Sequence, residues 1–145
     1  MHCYIFDIDG TLSDLSHRLP HIQKEPKDWD AFFNACCDDA PIRHICELAG
    51  SLDLEVWPVV FVSGRSDLVL NETKEWLQKH VGCYEHLYMR RHGDHRPDHQ
   101  VKRDLLEQLR ADGFEPIMAF DDRDQVVKMW RELGIPCAQV ADGNF

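Results

Sequence analysis

The chain alternates short apolar runs with segments whose apolar residues recur at helical spacing. Each apolar run suits a buried strand of a parallel sheet. Five runs predict strands, at residues 3–6, 56–62, 86–89, 116–120 and 136–140. Helical periodicity places apolar positions of four helices within residues 42–52, 76–81, 101–109 and 126–133. This alternation predicts an α/β fold, a Rossmann-like parallel sheet with helices on both faces and a functional site at the carboxyl ends of the strands.

The ends of two helices and one long connection are also readable from the sequence. Asp124 is predicted to N-cap the last helix, and Gly113 and Gly134 stand where a glycine after a helix C-terminus belongs. About residues 13–40 interrupt the alternation with two prolines, several aromatic residues and a predicted helix at 28–39. Because a long connection in a compact domain is usually functional or disordered, and aromatic residues argue against disorder, we expect a small helical flap over the strand ends.

The composition limits the kinds of partner. The 145 residues carry 16 Lys and Arg against 26 Asp and Glu, a formal charge of −10, and their number predicts one domain over residues 1–145. Such a charge argues against coating nucleic acid or an anionic membrane by bulk attraction, so any anionic substrate must be held locally. No membrane span or signal peptide is predicted, and the six cysteines are expected to be reduced thiols. We therefore expect a cytoplasmic protein.

Acidic residues follow the first and fourth predicted strands. Asp7 and Asp9 stand two residues apart before the turn at Gly10, where one could act as nucleophile and the other as acid. An acidic turn that caps a helix or binds a cation would look the same. Asp121 and Asp122 end a buried strand side by side, and because adjacent carboxylates repel each other, a Mg²⁺ site is the simplest explanation.

Candidate phosphate-binding groups lie between these acidic pairs. Ser63, Gly64 and Arg65 follow the second predicted strand and offer a hydroxyl, a backbone amide and a guanidinium. Lys102 begins a helix, where its ammonium could neutralise both carboxylate and phosphate. Taken singly, an ordinary strand-to-helix turn and a surface lysine are the better interpretations.

The order of these motifs makes them informative as a set, because each falls at or just after a predicted strand end. Their order along the chain is an acidic pair, a serine, a lysine and a second acidic pair. This order resembles the four motifs of the haloacid dehalogenase superfamily of phosphotransferases, over nearly the whole chain. A closer resemblance is to the 3′-phosphatase domains of bacteriophage polynucleotide kinase-phosphatases. The parts of the chain that carry it are the segments 121–131 and 139–145, the Ser63-Gly64-Arg65 turn and Arg18. Residues 13–39, which would help to define the substrate, resemble them only weakly, and no Gly-x-x-x-x-Gly-Lys-Ser/Thr loop of a kinase is present. The resemblance implies a functional partnership with a separate kinase or ligase, in a bacterium or a phage-infected host cell.

The resemblance implies a mechanism and roles for named residues. Asp7 attacks phosphorus to form an aspartyl-phosphate, and Asp9 serves as acid and then as base. The implied metal site holds Mg²⁺ through four residues: Asp7, the Asp9 carbonyl, Asp121 and Asp122. Asp122 is expected to be the direct ligand of the last pair, with Asp121 outer-sphere or paired with Lys102. The remaining implied groups contact phosphate or orient the acid loop: Lys102, Ser63, Gly64, Arg18, Arg65, Arg123 and Thr11.

The expected activity is removal of 3′-phosphates from polynucleotide ends. One alternative is a phosphatase of free nucleotides or another small phosphomonoester, and a non-enzymatic alternative is a regulatory module that binds Mg²⁺ or phosphate. Cys83 with His86, His92, His95 and His99 could be read as zinc ligands, but their spacing matches no compact zinc pattern. We expect that segment to be a solvated or phosphate-facing loop.

Overall fold

The predicted α/β architecture is present, with seven strands and five helices. A computed structural model describes residues 1–145. The strands are β1 (His2–Phe6), β2 (Ser13–Asp14), β3 (Ala40–Pro41), β4 (Val59–Ser66), β5 (His86–Arg90), β6 (Glu115–Asp121) and β7 (Cys137–Gln139). The helices are α1 (Trp29–Asn34), α2 (Arg43–Gly50), α3 (Leu70–His80), α4 (Asp98–Ala111) and α5 (Asp124–Glu132).

Five of the strands form one parallel sheet with β1 at its centre. Their order across the sheet is β5-β4-β1-β6-β7. The chain therefore moves outward from β1 in one direction through β4 and β5, and then crosses back to place β6 on the other side of β1. In sheets of this kind the crevice at the reversal point, outside the carboxyl ends of the strands, is where ligands bind.

The sheet is covered on both faces, which explains why its strands are apolar without alternation. Along β4, Val59 and Phe61 pack in a core cluster with α2 and α3, whereas Val60 and Val62 pack in a second cluster with α4 and α5. Trp130 of α5 is fully buried in the second cluster, as its helical spacing predicts. None of the helices has the length and apolar character needed to cross a membrane.

The strand predicted at 56–62 begins later than its apolar pattern indicates. Val56 and Trp57 are exposed, and β4 starts at Val59, after Pro58. Backbone N–H groups of both exposed residues donate to the Asp53 carbonyl, at 3.0 and 2.6 Å, so this segment closes a turn before the strand begins. At the other end β4 extends to Ser66, and its ladder with β5 skips Gly64 and Arg65.

The predicted helix ends are partly confirmed. Gly113 and Gly134 each follow the C-cap of a helix with positive φ, 95° and 80°, the conformation that favours glycine there. The prediction for Asp124 is wrong: Arg123 is the N-cap of α5, and Asp124 is its first residue. The Asp124 carboxylate instead accepts a hydrogen bond from the Gln139 amide at 2.6 Å, which ties α5 to β7.

A helical insertion lies where the flap is predicted. Strands β2 and β3 form a separate antiparallel ribbon, in which Ser13 faces Pro41, so the two ends of the insertion lie side by side. Between them are a 3₁₀ turn (Ser16–His21), α1 and a second 3₁₀ turn (Ala35–Asp38). The helix predicted at 28–39 is thus α1, capped by the Asp28 side chain, and it tightens to 3₁₀ geometry after Asn34.

Candidate active site

A buried lysine connects the ends of β1 and β6. The Lys102 ammonium, on α4, lies 2.8 Å from Asp7 Oδ1 and 2.8 Å from Asp121 Oδ2, and the residue is 1% exposed. Burial lowers the pKa of Lys102, but the carboxylates of Asp121 and Asp7 outweigh it and hold the pKa well above its usual value. Lys102 therefore stays protonated and fixes two strand ends against each other.

Three carboxylates form an acidic cluster around this lysine. Ligand oxygens of Asp7, Asp121 and Asp122 all lie within 4.8 Å of one another, and all three residues are buried. Burial raises the pKa of Asp7 well above its usual value, and the negative charge of Asp121 adds to the effect. Burial, followed by Asp121, raises the pKa of Asp122 to about 6. The positive charge of one lysine does not balance the negative charges of three carboxylates. This excess of negatively charged oxygen atoms fits a hard divalent cation.

The two acids that end β6 have different surroundings. Asp121 Oδ1 accepts the Asp122 backbone N–H at 2.9 Å, and Oδ2 accepts from Lys102 and, at 3.4 Å, from the Trp130 indole. Asp122 has only the Thr11 hydroxyl, at 3.3 Å, and the Asp7 carboxyl as side-chain partners. Both oxygens of Asp121 are therefore occupied by protein donors, whereas Asp122 retains ligand capacity.

The turn after β1 requires glycine and places Thr11 between two acids. Gly10 has φ +84°, and a Cβ at this position would collide with the Asp122 carboxylate. The Thr11 hydroxyl lies 3.1 Å from Asp7 Oδ2 and 3.3 Å from Asp122 Oδ1. The Thr11 hydroxyl therefore lies between the two carboxylates, and its role in orienting the acidic loop stays a prediction.

Asp9 lies in a second charge cluster, which faces the insertion. Its Oδ1 accepts from Arg18 Nη2 at 2.8 Å, from Arg65 Nη2 at 2.6 Å and from the Ser13 hydroxyl at 3.2 Å. Burial raises the pKa of Asp9, but the guanidinium groups of Arg65 and Arg18 reverse this and hold the pKa far below its usual value. All these contacts are made by Oδ1, so Oδ2 receives no hydrogen bond from the protein.

Asp39, which the sequence analysis missed, completes this cluster. It accepts from Arg18 through both oxygens, at 2.8 and 2.6 Å, while Arg65 Nη2 lies 3.4 Å away. Arg18, Arg65 and Asp39 are all buried, so the guanidinium groups face carboxylates rather than open solvent. Contact of Arg18 and Arg65 with phosphate stays a prediction. No periodicity distinguishes Asp39 from the neighbouring Asp38, because its role depends on a contact with residues far away in sequence.

The Ser63 turn offers unused donors. Ser63 Oγ accepts the Arg65 backbone N–H at 3.1 Å, and its own hydroxyl proton has no acceptor in the protein. The Gly64 backbone closely approaches Asp98, a second residue that the sequence analysis missed, so a larger residue at position 64 would displace the Asp98 carboxylate. Asp98 Oδ1 is buried without a hydrogen bond, and Oδ2 lies 3.6 Å from Lys102 Nζ.

Arg123 and the histidine-rich loop lie at the edge of the site. Arg123 is partly exposed, donates to the Phe145 carbonyl at 2.8 Å and lies 3.8 Å from Asp98 Oδ2. His92 Nδ1 lies 3.0 Å from the Ser66 hydroxyl. The structure brings together three groups that could hold a metal ion at Asp7, Asp121 and Asp122, and not among the histidines.

Comparisons with known proteins agree with this geometry. A family model described as the polynucleotide kinase PNKP phosphatase domain matches residues 1–145. A bifunctional polynucleotide kinase/RNA ligase of Autographa californica nuclear polyhedrosis virus is 35% identical over 79 residues, 54% of this chain and 11% of the viral protein. A chain in the structure of the Pnkp1/Rnl/Hen1 RNA repair complex superposes with a TM-score of 0.85 and 30% identity, over 99% of this chain and 43% of that one. Both relatives are thus much longer than this chain.

A more distant structure shares only the fold. The class C acid phosphatase from Bacillus anthracis, with tungstate bound, superposes with a TM-score of 0.60 at 13% identity, over 97% of this chain and 68% of that one.

Replacing Asp39 tests the second charge cluster. We expect Asp39→Asn to lower the free energy of unfolding by about 3 kcal/mol, because it removes the bidentate partner of a buried guanidinium. Urea denaturation measures this change. The matched control is Asp38→Asn, which removes the same charge from an exposed neighbour and should change stability by less than about 0.5 kcal/mol. Equal effects of the two variants would contradict the assignment.

Replacing Asp122 tests the acidic cluster. Because the carboxylate is destabilised by burial and by Asp121, we expect Asp122→Asn to stabilise the protein in EDTA by about 1 to 2 kcal/mol. We expect Mg²⁺ to raise the melting temperature of the unaltered protein and expect Asp122→Asn to lose this increase. Thermal denaturation with EDTA and with Mg²⁺ measures both effects. A variant that is less stable in EDTA and still responds to Mg²⁺ would show that Asp122 is not a ligand.

Proposed function

Because the chain belongs to the family of polynucleotide kinase phosphatase domains and is a haloacid dehalogenase-type phosphatase, we propose that it removes 3′-phosphates from polynucleotide ends. One observation carries the chemistry: Lys102 holds Asp7 at 2.8 Å and keeps it beside Asp121 and Asp122. This arrangement supplies a fixed carboxylate nucleophile and a place for a cation at the same strand ends.

The acidic cluster is the proposed Mg²⁺ site. We assign Asp7, the Asp9 main-chain carbonyl and Asp122 as its ligands, with Asp121 held by Lys102 as an outer partner. Asp122 is the better ligand of the pair because both oxygens of Asp121 already accept hydrogen bonds from the protein. When bound, Mg²⁺ supplies positive charge that reduces repulsion between the nucleophile and the phosphate and polarises a phosphate oxygen.

Asp7 is the proposed nucleophile. A carboxylate oxygen of Asp7 forms a bond to phosphorus as the bond from phosphorus to the leaving oxygen breaks, which gives an aspartyl-phosphate and a free hydroxyl end. Water then cleaves this intermediate and releases inorganic phosphate. Lys102 and Thr11 each bind one oxygen of Asp7, at 2.8 and 3.1 Å, and so restrict the rotation of its carboxylate before attack.

Asp9 is the proposed acid and base. Its free oxygen, Oδ2, is the one that exchanges a proton with the leaving oxygen and later with water. The two guanidinium groups keep the pKa of Asp9 low before substrate binds, so the carboxylate begins ionised. An arriving dianionic phosphate brings negative charge that opposes the arginines and favours protonation of Asp9. Arg18 and Arg65 thus contribute to the reaction by holding Asp9 in position, in addition to any contact with phosphate.

Three groups are placed to bind phosphate oxygens. An ammonium has three N–H donors, and Lys102 uses two of them on Asp7 and Asp121, which leaves one for phosphate. The Ser63 hydroxyl proton has no protein acceptor, and Gly64 lies in the part of β4 that leaves the ladder with β5. Preorganised donors of this kind supply most of the catalysis in phosphoryl transfer. Arg123 stays a further candidate at the partly exposed edge.

The family and the relatives support a nucleic-acid end as substrate. Two of them are a polynucleotide kinase/RNA ligase and a member of an RNA repair complex, so we propose that this phosphatase works alongside a kinase or a ligase. We also propose a reducing, cytoplasmic setting, because all six cysteines are free thiols. Family membership disfavours the non-enzymatic alternative, and the alternative that remains is a phosphatase of free nucleotides.

A panel of substrates decides between these alternatives. The panel contains 3′-phosphorylated oligonucleotides of DNA and of RNA, the same oligonucleotides with a 5′-phosphate, and nucleoside 3′-monophosphates, each with Mg²⁺. We expect the highest kcat/KM for the 3′-phosphorylated oligonucleotides, by at least about tenfold over the 5′-phosphorylated ones. A preference for 5′-phosphates or for free nucleotides would overturn the proposed substrate but not the phosphatase activity.

Replacing the nucleophile tests the covalent mechanism. Asp7→Asn should lower kcat by at least about a thousandfold, because the amide cannot form the aspartyl-phosphate. The change is nearly isosteric, so circular dichroism and the melting curve should show a folded protein. Asp30→Asn, an exposed aspartate on α1, is the matched control and should retain full activity. Turnover by Asp7→Asn within tenfold of the unaltered enzyme would exclude covalent catalysis by this residue.

A further inference from the structure

The loop that follows β5 is attached to the proposed phosphate site. This loop, residues 91–97, is named here the β5 loop. Arg90, the last residue of β5, donates to the Gly64 carbonyl at 2.7 Å and to two carbonyls of the β5 loop region, Asp94 at 3.0 Å and Arg96 at 2.6 Å. One guanidinium thus fixes the shape of the loop and joins it to the turn that carries Ser63 and Gly64.

A second set of contacts attaches the loop to the next turn of β4. The His92 ring lies 3.0 Å from the Ser66 hydroxyl, and its backbone N–H donates to Asp67 at 2.8 Å. In the ladder of β4 and β5, Arg90 pairs with Ser66, so the loop begins about one strand spacing, 4.8 Å, from the residue that follows the Ser63-Gly64-Arg65 turn. For a nucleic-acid strand whose terminal phosphate is bound at Ser63 and Gly64, this loop is therefore a neighbouring protein surface.

The charge of the loop differs from that of the rest of the protein. Arg91, His92, His95 and Arg96 are exposed in a chain whose formal charge is −10. Arg96 is paired with Asp94 at 2.8 Å and with Asp104 at 2.7 Å, so its charge is compensated. Arg91 has no ion pair or side-chain hydrogen bond and is the free cation of the loop.

We propose that the β5 loop is the surface on which this enzyme binds a nucleic-acid strand, with Arg91 on the phosphodiester next to the terminal phosphate. The inference rests on the proposed function, since it presupposes a polynucleotide substrate. A guanidinium binds a phosphodiester through charge and paired N–H donors, and it reads no base. The loop therefore distinguishes a strand end from a free nucleotide, which has no second phosphate, without selecting a sequence.

Steady-state kinetics on two substrates test the inference. The substrates are a 3′-phosphorylated pentanucleotide and the corresponding nucleoside 3′-monophosphate, each assayed at several salt concentrations. Arg91→Gln should raise KM for the pentanucleotide about three- to tenfold relative to KM for the mononucleotide, with little change in kcat. The slope of log KM against log salt for the pentanucleotide should fall by about 0.7, the value for one phosphate contact on a single strand.

Two further variants control for charge and for folding. Lys79→Gln removes one positive charge from an exposed, unpaired residue in the last turn of α3, the turn that leads into the start of β5, and should leave both values of KM unchanged. Arg91→Lys keeps the charge and should restore most of the affinity for the pentanucleotide. Melting curves establish that each variant is folded.

The outcomes separate failure of this inference from failure of the proposed function. If the unaltered enzyme hydrolyses the pentanucleotide and Arg91→Gln leaves its KM unchanged, the β5 loop is not the strand-binding surface. Equal effects of Arg91→Gln on both substrates would also overturn the inference, since Arg91 would then act on the terminal phosphate. If the unaltered enzyme hydrolyses only the mononucleotide, the proposed function itself is wrong.

Discussion

The site depends on one buried ammonium between two carboxylates. Removing a lysine from water costs several kcal/mol, and this cost is offset here only because Asp7 and Asp121 both lie 2.8 Å from Lys102 Nζ. The three residues are separated by 95 and 19 positions in the chain, so no local segment can form the triad. It exists only when β1, α4 and β6 are packed together at the point where the strand order reverses. The proposed nucleophile, Asp7, therefore reaches its position only in the completed fold.

The charge cluster around Asp9 differs from the cluster around Lys102 in its balance of positive and negative charge. Around Lys102, three carboxylates outnumber one ammonium, and this excess of negative charge fits a metal ion. Around Asp9, two guanidinium groups contact two carboxylates, so positive and negative charge are nearly equal. The two aspartates that stand two residues apart in sequence thus have opposite environments, and the pKa of Asp7 is raised while that of Asp9 is lowered. This separation is what two different chemical roles require. The insertion supplies Arg18 and Asp39 and so belongs to the site rather than only covering it.

The sequence predicts the fold and most of the site because both depend on local pattern. Apolar runs locate the strands, and acidic or hydroxyl residues directly after them lie together because the carboxyl ends of parallel strands share an edge. Asp39 and Asp98 escape prediction because their importance comes from contacts with distant residues, Arg18 in one case and Gly64 in the other. The apolar character of Val56 and Trp57 predicts a strand there, but both residues are exposed. The turn closed on the Asp53 carbonyl overrides that preference.

The antiparallel ribbon of β2 and β3 closes the insertion at its base. The length of the insertion is therefore independent of the positions of the residues around Asp9. Ser13 pairs with Pro41 at its base, Arg18 pairs with Asp39 just above, and the Asp28 N–H donates to the His21 carbonyl at 2.8 Å. Residues 22–27 therefore leave and return at nearly the same point, beyond every group that touches Asp9. A loop closed in this way changes length at little entropic cost. The outer part of the insertion can accordingly vary between relatives, or be exchanged by design, while Arg18 and Asp39 keep their positions.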